Sequence, residues 1–458
     1  MIMRQVTILG GGLSGLMAAW KLQQQEGIRT LVLEREDQVG GLSKSLLWEG
    51  FRSDVGPEML QTSDPLLRDE LKVLMGGNYQ VPYRQSSLWL ERMWLRYPLT
   101  TRMLTRLPWG RLLQIGGGLL KDLWFRSRSD QEDWERRVIP QEEKLWPQFL
   151  ASDRFSRLWR SSQPLRVLTA GERFLSNVNV KAKSSFLQRL QGMGKQVFRV
   201  PEAYGRSFHI PQEGMGSVAE RLKREVTRLG GQVVTGARVR RLTVPEQEVR
   251  EVWYEDGTSV RRVATDYVLS TIPLERLCSL LDPFPPQWVV EGVKQFRYRV
   301  LLQLHVLLNS TQEARTDWFY FPTTRYPFVR VHFMPRVKPM LRHLQHQPRT
   351  LGLRVDFLLE AMNPLVNMDG GELWSICAPL LAETGLLLQS EVLALMLHRE
   401  HHAIPEVKSP DLLMEVRAYF KQLQRLRVFG MHSVGQAWSL EETLKQALYI
   451  ARSVQEFL

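Results

Sequence analysis

The stretch that most constrains this chain is Gly10-Gly11-Gly12-Leu13-Ser14-Gly15. Ahead of it Val6-Thr7-Ile8-Leu9 is short, apolar and β-rich, the composition of a buried parallel strand. Behind it Leu16-Met17-Ala18-Ala19-Trp20-Lys21-Leu22 continues at helical spacing. Strand, glycine turn and helix in that order predict a dinucleotide-binding βαβ unit. In such a unit Gly10 permits the tight turn, Gly12 leaves no Cβ between backbone and pyrophosphate, and Gly15 lets the helix lie close to the strand. The phosphates then meet the free N–H groups at the helix start, around Leu13 and Ser14, where the dipole favours anions. A second strand, Arg29 to Leu33, ends in Glu34-Arg35, placing a carboxylate for the ribose hydroxyls about 20 residues beyond the turn.

The next segment separates one dinucleotide from another. Gln38-Val39 leads to a second doublet, Gly40-Gly41-Leu42-Ser43, and then to Gly50-Phe51-Arg52-Ser53-Asp54-Val55-Gly56-Pro57. A nicotinamide-binding unit has no need of a second glycine turn at this place. The run resembles the FAD-binding start of the flavoprotein amine oxidase superfamily, which includes protoporphyrinogen oxidases, phytoene desaturases and UDP-galactopyranose mutase-like proteins. The resemblance implies FAD as cofactor, with Gly41, Leu42 and Ser43 near the pyrophosphate and ribityl chain and Gly56-Pro57 near the isoalloxazine. It also implies an α/β fold: an FAD-binding Rossmann-type (glutathione-reductase-2-like) lobe, an inserted helical lobe and a β-sheet substrate lobe.

At 458 residues the chain is too long for a single core, so two or three lobes are expected. Lys and Arg number 61 against 48 Asp and Glu, a net charge of +13, which draws anionic substrates, acidic membrane surfaces or nucleic acid. No zinc-finger spacing or RRM-type aromatic motif supports nucleic acid, and that partner is set aside. Cys278 and Cys377 form no CxxC pair, so neither a disulfide framework nor a dithiol centre is indicated. No apolar run reaches the 18 or so residues of a membrane-spanning helix, and the N-terminus enters a strand directly. These features lead us to expect a cytoplasmic protein, with peripheral membrane contact open. His343-x-x-His346 and His398-x-x-His401-His402 lack an accompanying ligand set, and no metal site is expected.

Residues 1–90, 200–285 and 420–458 are expected to form a discontinuous FAD-binding domain, 91–199 a helical substrate lobe, and 286–419 a mixed β-sheet substrate lobe. A helix is expected between Met59 and Pro82, around Leu66, Leu67, Leu71 and Leu74. Leu88 to Arg128 interleaves Trp89, Trp94, Trp109 and Trp124 with eight cationic residues. Such helices suit a membrane interface, the wall of a substrate cavity, or plain packing on the core. Arg96-Tyr97-Pro98-Leu99, Asp133-Trp134 and Phe155-Ser156-Arg157-Leu158-Trp159 resemble the helical insertion of the UDP-galactopyranose mutase-like branch, whose members are associated with sugar and cell-surface polysaccharide metabolism. By this resemblance Arg96 and Tyr97 belong to the substrate lobe.

Further along, the resemblance brings a backbone amide at Val239 to the adenine and closes the flavin lobe with Tyr267 to Pro273, including Thr271. It reads Arg427 to Gly430 and the helix from Leu440 as the last flavin-binding element. That helix opens with a capping box of Ser439 and Glu442. In the β-rich segment, Arg299, Tyr320 and Arg330 are pocket candidates on period-2 alternation. Glu58, beside the expected isoalloxazine, is the candidate functional carboxylate, with desolvation expected to raise its pKa. Together these readings point to an FAD-dependent oxidoreductase that passes a hydride from an organic substrate to flavin N5. The alternatives are a mutase-like flavoenzyme on a nucleotide- or lipid-linked sugar, without net redox change, and a non-catalytic flavin-fold protein. The expected substrate is a small molecule, anionic or lipid-linked.

Overall fold

A computed structural model of the chain describes residues 3–97 and 208–457, apart from positions 63, 78, 81–85, 91, 212, 258, 311, 313–317, 322–324, 336–349, 388–389, 408–409 and 435–439. The Asp133-Trp134 and Phe155–Trp159 pieces, most of the tryptophan- and arginine-rich stretch, and Ser439 of the capping box lie outside the described residues.

Short β-rich runs that are apolar on both sides make a parallel sheet. Its order is Gln232–Val234, Ile28–Leu33, Arg4–Leu9, Tyr267–Ser270, Leu426–Val428, with every pairing parallel. Val6, Ile8 and Leu269 point to one side, where helices Leu13–Gln23, Gly216–Arg228 and Leu440–Phe457 bury their apolar stripes. Leu9, Leu31, Leu33 and Val268 point to the other, against a four-stranded sheet and helices Leu274–Cys278, Gln287–Val293 and Pro410–Gln422. The expected hairpin at Asp256-Gly257 joins Glu251–Asp256 to Ser259–Ala264 in that smaller sheet.

The Pro65–Met75 helix is capped by Asp64, whose carboxylate accepts from the Leu67 amide, and ends at Gly76 with φ +55. Its buried stripe is Leu67, Leu71, Leu74 and Met75, and Leu66, a residue off that stripe, is 59% exposed.

A seven-stranded sheet forms the second lobe, in the order Glu391–Val407, Phe296–Asn309, Thr350–Glu360, Arg330–Phe333, Trp318–Tyr320, Ser86–Leu90, Met93–Tyr97. Alternate residues of each strand face opposite ways. Val300, Leu302, Leu304, Phe319, Val331, Val355 and Phe357 build an apolar core, packed under helix Gly370–Glu383. The opposite face is lined by Gln303, Trp318, Tyr320, Arg330, Arg354 and Asp356.

Ser86–Leu90 and Met93–Tyr97 correct the sequence reading, which put residues up to 90 in the flavin lobe and began a helical lobe at 91. The two strands form a hairpin, with Arg92 at φ +60, and join the substrate sheet through a parallel pairing with Trp318–Tyr320. The reason is aromatic packing: Trp94 lies 5.0 Å from Trp89, 5.1 Å from Phe319 and 5.6 Å from Phe321, and its indole N–H donates to the Thr384 carbonyl. These two tryptophans serve the core. Among the described residues, no helix is long and apolar enough to cross a membrane.

Candidate active site

The glycine turn is built as its spacing requires. Gly10 adopts φ +103, a conformation that side chains disfavour, and its amide donates to the Leu33 carbonyl at 2.9 Å. A Cβ on Gly15 would stand 2.1 Å from the Gly10 carbonyl oxygen, whereas one on Gly12 would meet nothing within 4 Å. Gly15 is therefore a packing glycine, and Gly12 leaves open the space in front of the helix. Gly12 is also the N-cap of Leu13–Gln23, with no side chain to satisfy the first-turn amides, and no acid stands in that turn. An anion is the complement of such a helix start.

The second glycine turn docks on the first. Gly12 and Gly40 form a parallel bridge, the Gly40 amide donates to the Gly11 carbonyl at 2.8 Å, and Gly40 takes φ +115. Gly56 holds the following turn close, since a Cβ there would lie 2.6 Å from the Leu42 carbonyl oxygen. Glu34 folds back toward the turn: one carboxylate oxygen accepts from the Gly11 amide at 2.7 Å and the other from the Glu36 amide at 2.9 Å. Burial raises its pKa. Arg35 is exposed and 3.7 Å from Glu36.

One continuous cleft of ≈ 570 Å³ begins at this turn, within the range of about 300–1,000 Å³ usual for cofactor sites. Gly10, Gly12, Leu13, Ser14, Glu34 and Arg35 line one end, and Gly41, Leu42, Ser43 and Pro57 continue the wall. Val239 lines it from the smaller sheet, its carbonyl accepting from Arg276 at 3.1 Å. Thr271, whose hydroxyl donates to the Leu9 carbonyl at 3.0 Å, Gly430 at φ +82, and Leu440 complete the lining on that side. Gly15 and Gly56 stand behind the wall. The far end is Glu58, Trp318, Tyr320 and Arg330, on the polar face of the seven-stranded sheet. A helix start and two glycine turns at one end, joined by a cleft to a polar sheet face, fit FAD.

Other candidates fall elsewhere. Arg299 does not reach the cleft; it pairs with Glu406 at 3.3 Å and Glu360 at 3.7 Å, because its strand turns that position toward the neighbouring strand ends. Arg96 and Tyr97 occupy the edge strand opposite Ser87 and Ser86, and their side chains lie outside the described residues.

Glu58 differs most from expectation. Its carboxylate contacts the fully buried Arg354, accepts from the Trp318 indole N–H at 2.5 Å, and lies 3.7 Å from both Arg330 and His332. Burial alone would push its carboxyl up, but His332, Arg354 and Arg330 outweigh burial and hold it well below the usual carboxylate range. It is a fixed anion, unsuited to exchanging a proton near neutral pH.

Arg354, Asp356, Trp318 and His332 were not singled out in the sequence. Asp356 accepts from Arg330 Nε at 2.6 Å, from Arg354 Nη2 at 3.2 Å and from the Gln303 side-chain amide at 3.0 Å, with Arg354 Nε 2.8 Å away as an ion pair. The available signal was polar residues two apart in apolar strands, Arg354 with Asp356 and Arg330 with His332, which puts each pair on one face. A further titratable group lines the middle of the cleft: Glu275, Glu400, His402 and His432, with the Tyr298 hydroxyl donating to Glu275 at 3.2 Å.

Comparison with known proteins agrees with this geometry. The family described as flavin containing amine oxidoreductase matches residues 13–326. A phytoene desaturase (lycopene-forming) from Pantoea ananas is 26% identical over 301 residues, covering 58% of this chain and 55% of that one. The chain spans about half the length of the curated relatives it matches. Among solved structures, reduced UDP-galactopyranose mutase superposes with a TM-score of 0.68 at 17% identity, over 100% of this chain and 95% of that one. A candidate protoporphyrinogen oxidase from Exiguobacterium sp. 255-15 superposes with 0.64 at 16% identity, over 99% of both chains. At such identities these two structures speak for the fold alone.

Proposed function

Because the chain belongs to the flavin-containing amine oxidoreductase family, we propose that it is an FAD-dependent dehydrogenase that removes hydride from a C–H position of an organic substrate. FAD is its cofactor; when bound, it supplies the two-electron acceptor. The chain's own residues bind and orient. The first-turn amides after Gly12 receive the pyrophosphate, Glu34 the ribose hydroxyls, and the Gly40–Ser43 turn the chain that leads onward. The substrate lies against Trp318 and Tyr320.

The observation that carries this reading is the continuity of the cleft from Gly12 to Trp318, Tyr320 and Arg330. An extended dinucleotide anchored at the glycine turn delivers its far end to the sheet. The rival mutase reading calls for arginines that receive a diphosphate. Among the described residues at the sheet end, Arg330 and Arg354 are already in contact with Asp356 and Glu58, which favours dehydrogenation.

The visible spectrum of the purified protein, with the chromophore identified after heat release, tests the cofactor. Anaerobic mixing of the oxidised protein with organic substrates tests the reaction. Bleaching of the flavin bands by a substrate is the expected result. Turnover that proceeds only after prior reduction, with substrate and product at the same oxidation level, would replace the dehydrogenase by the mutase.

A further inference from the structure

We propose that Arg238 and Arg276, together with Arg35, form a cationic face of the cleft that acts on the phosphates of the dinucleotide, adding charge from the smaller sheet to the amides of the glycine turn. The proposal rests on the flavin reading above and names residues that select an anionic cofactor.

Three separate elements supply these arginines. Arg35 follows the Ile28–Leu33 strand, Arg238 lies in the Ala237–Thr243 strand of the smaller sheet, and Arg276 in the Leu274–Cys278 helix. All three line the cleft. The Ala237 amide donates to the Glu34 carbonyl at 2.7 Å, which sets Arg238 beside the residue whose carboxylate takes the Gly11 amide. Arg276 donates to the Val239 carbonyl at 3.1 Å, so it stands at the same end. Burial, and after it the charges of Arg240, Arg238 and Arg35, lowers the Arg276 pKa from its ordinary value.

Little compensates this charge. Arg35 lies 3.7 Å from Glu36, which already holds Lys44 at 2.7 Å. The neighbouring Arg240 is paired with Glu255, its Nε 2.8 Å from the carboxylate. Besides Val239, Arg276 meets the Ser279 hydroxyl at 3.5 Å, another uncharged acceptor. Among the described residues no carboxylate pairs with Arg238 or Arg276. The acids that share the lining have donors of their own: Glu34 the Gly11 and Glu36 amides, Glu400 Lys44 at 3.5 Å, Glu275 the Tyr298 hydroxyl at 3.2 Å, and Glu441 Lys445 at 3.2 Å. A pyrophosphate therefore meets the surplus of the arginines and the dipole of the helix start together. Its binding also relieves the repulsion between like charges.

The test compares ADP, which carries the phosphates, with adenosine, which does not, by equilibrium dialysis against apo-protein. In Arg238→Gln/Arg276→Gln, ADP affinity should fall at least about tenfold in low salt, while adenosine affinity stays within about twofold. In high salt the loss for ADP should shrink to about threefold or less. Arg238→Lys/Arg276→Lys keeps both charges and should bind ADP within about threefold of wild type. The apo Gln protein should melt at or above the wild-type midpoint, because like charges have been removed. Unchanged ADP affinity in the Gln protein overturns the proposal. So does a loss shared by adenosine or by the Lys protein, which would make the two arginines structural. If the double variant does not fold, Arg238→Gln alone carries the comparison, with an expected loss of about threefold or more; this side chain is exposed and has no hydrogen bond among the described residues. A wild type that takes up neither FAD nor ADP is a distinct outcome: it removes the flavin reading, and this proposal with it.

Discussion

Gly12 and Gly15 stand three residues apart in one turn, yet replacing them with alanine should produce opposite signatures. At Gly15 the new methyl would press on the Gly10 carbonyl oxygen at 2.1 Å and on Ile8 at 3.1 Å. Strand and helix must separate, at a cost of about 1–3 kcal/mol, and the apo-protein should show the loss in its denaturation midpoint. At Gly12 the methyl enters empty space, so the apo-protein should melt as the wild type does while FAD affinity falls. A Gly12→Ala protein with normal FAD affinity would remove the pyrophosphate from this turn. Asp54 and Glu58, four positions apart, show the same dependence on surroundings. Glu58 has arginines in contact, whereas the buried Asp54 accepts from the Ser45 hydroxyl at 2.5 Å and the Met215 amide at 3.2 Å, with the Arg52 charge nearby opposing burial only weakly. Desolvation therefore dominates and pushes Asp54 up to about 6. Since its ordinary value is 3.8, the folded state binds the proton more tightly than the unfolded one. The stability contributed is complete below about pH 4 and lost as pH rises through 6. Asp54→Asn abolishes that titration, so its stability relative to wild type should improve on the order of 2–3 kcal/mol between pH 4 and pH 8. Urea midpoints at the two pH values measure this, and a difference independent of pH would contradict it.

At the scale of elements, the Thr350–Glu360 strand has two faces that fail for different reasons. Phe357 sits in the apolar core, and Phe357→Ala should cost about 3–5 kcal/mol through a cavity, at any pH. Asp356 sits on the other face between Arg330 and Arg354, and Asp356→Ala should also cost about 3–5 kcal/mol, by leaving buried charge uncompensated. These guanidiniums hold the Asp356 carboxyl below its ordinary 3.8 although burial opposes them. The stability it contributes is therefore present above about pH 4 and lost as pH falls below. Denaturation across acid pH should show the Asp356→Ala deficit shrinking and the Phe357→Ala deficit persisting; parallel deficits would mean that packing, not charge, fixes this strand. The comparison also explains what could be read in advance. The strand, glycine turn and helix from Val6 to Leu22, with Glu34 after them, follow local spacing rules, so the sequence displays them directly. The polar sheet face depends on four strands spread from residue 296 to 360, whose register no local pattern encodes. For that reason Glu58 was recognised by position but misjudged in pKa: its partner Arg354 is 296 residues away. Core packing, one of the three readings open for Trp89 and Trp94, holds, but on strands rather than helices, since the aromatic partners that decide it for Trp94, Phe319 and Phe321, lie over 220 residues away.

For the whole molecule, the cleft is where the two lobes meet. Its lining passes from the parallel sheet, through the smaller sheet at Val239, to the seven-stranded sheet at Trp318 and Tyr320. A ligand filling it contacts residues that are hundreds of positions apart, and it binds only when both lobes are in place. Binding to the folded state alone stabilises by RT ln(1 + [L]/Kd), about 2.7 kcal/mol at a hundredfold excess over Kd. The denaturation midpoint of apo-protein should therefore rise with added FAD, by a further 1.4 kcal/mol for each tenfold step in concentration. ADP carries the pyrophosphate and adenosine but nothing that reaches the sheet, so it should occupy the glycine-turn end alone. It should stabilise less than FAD at equal concentration and lower the apparent affinity for FAD by competition. Equal stabilisation by the two ligands would confine the cofactor to the parallel-sheet lobe and separate the sheet end at Trp318 from the chemistry. Greater stabilisation by FAD, with ADP competing for the same site, would tie both ends of the cleft to one ligand-bound state.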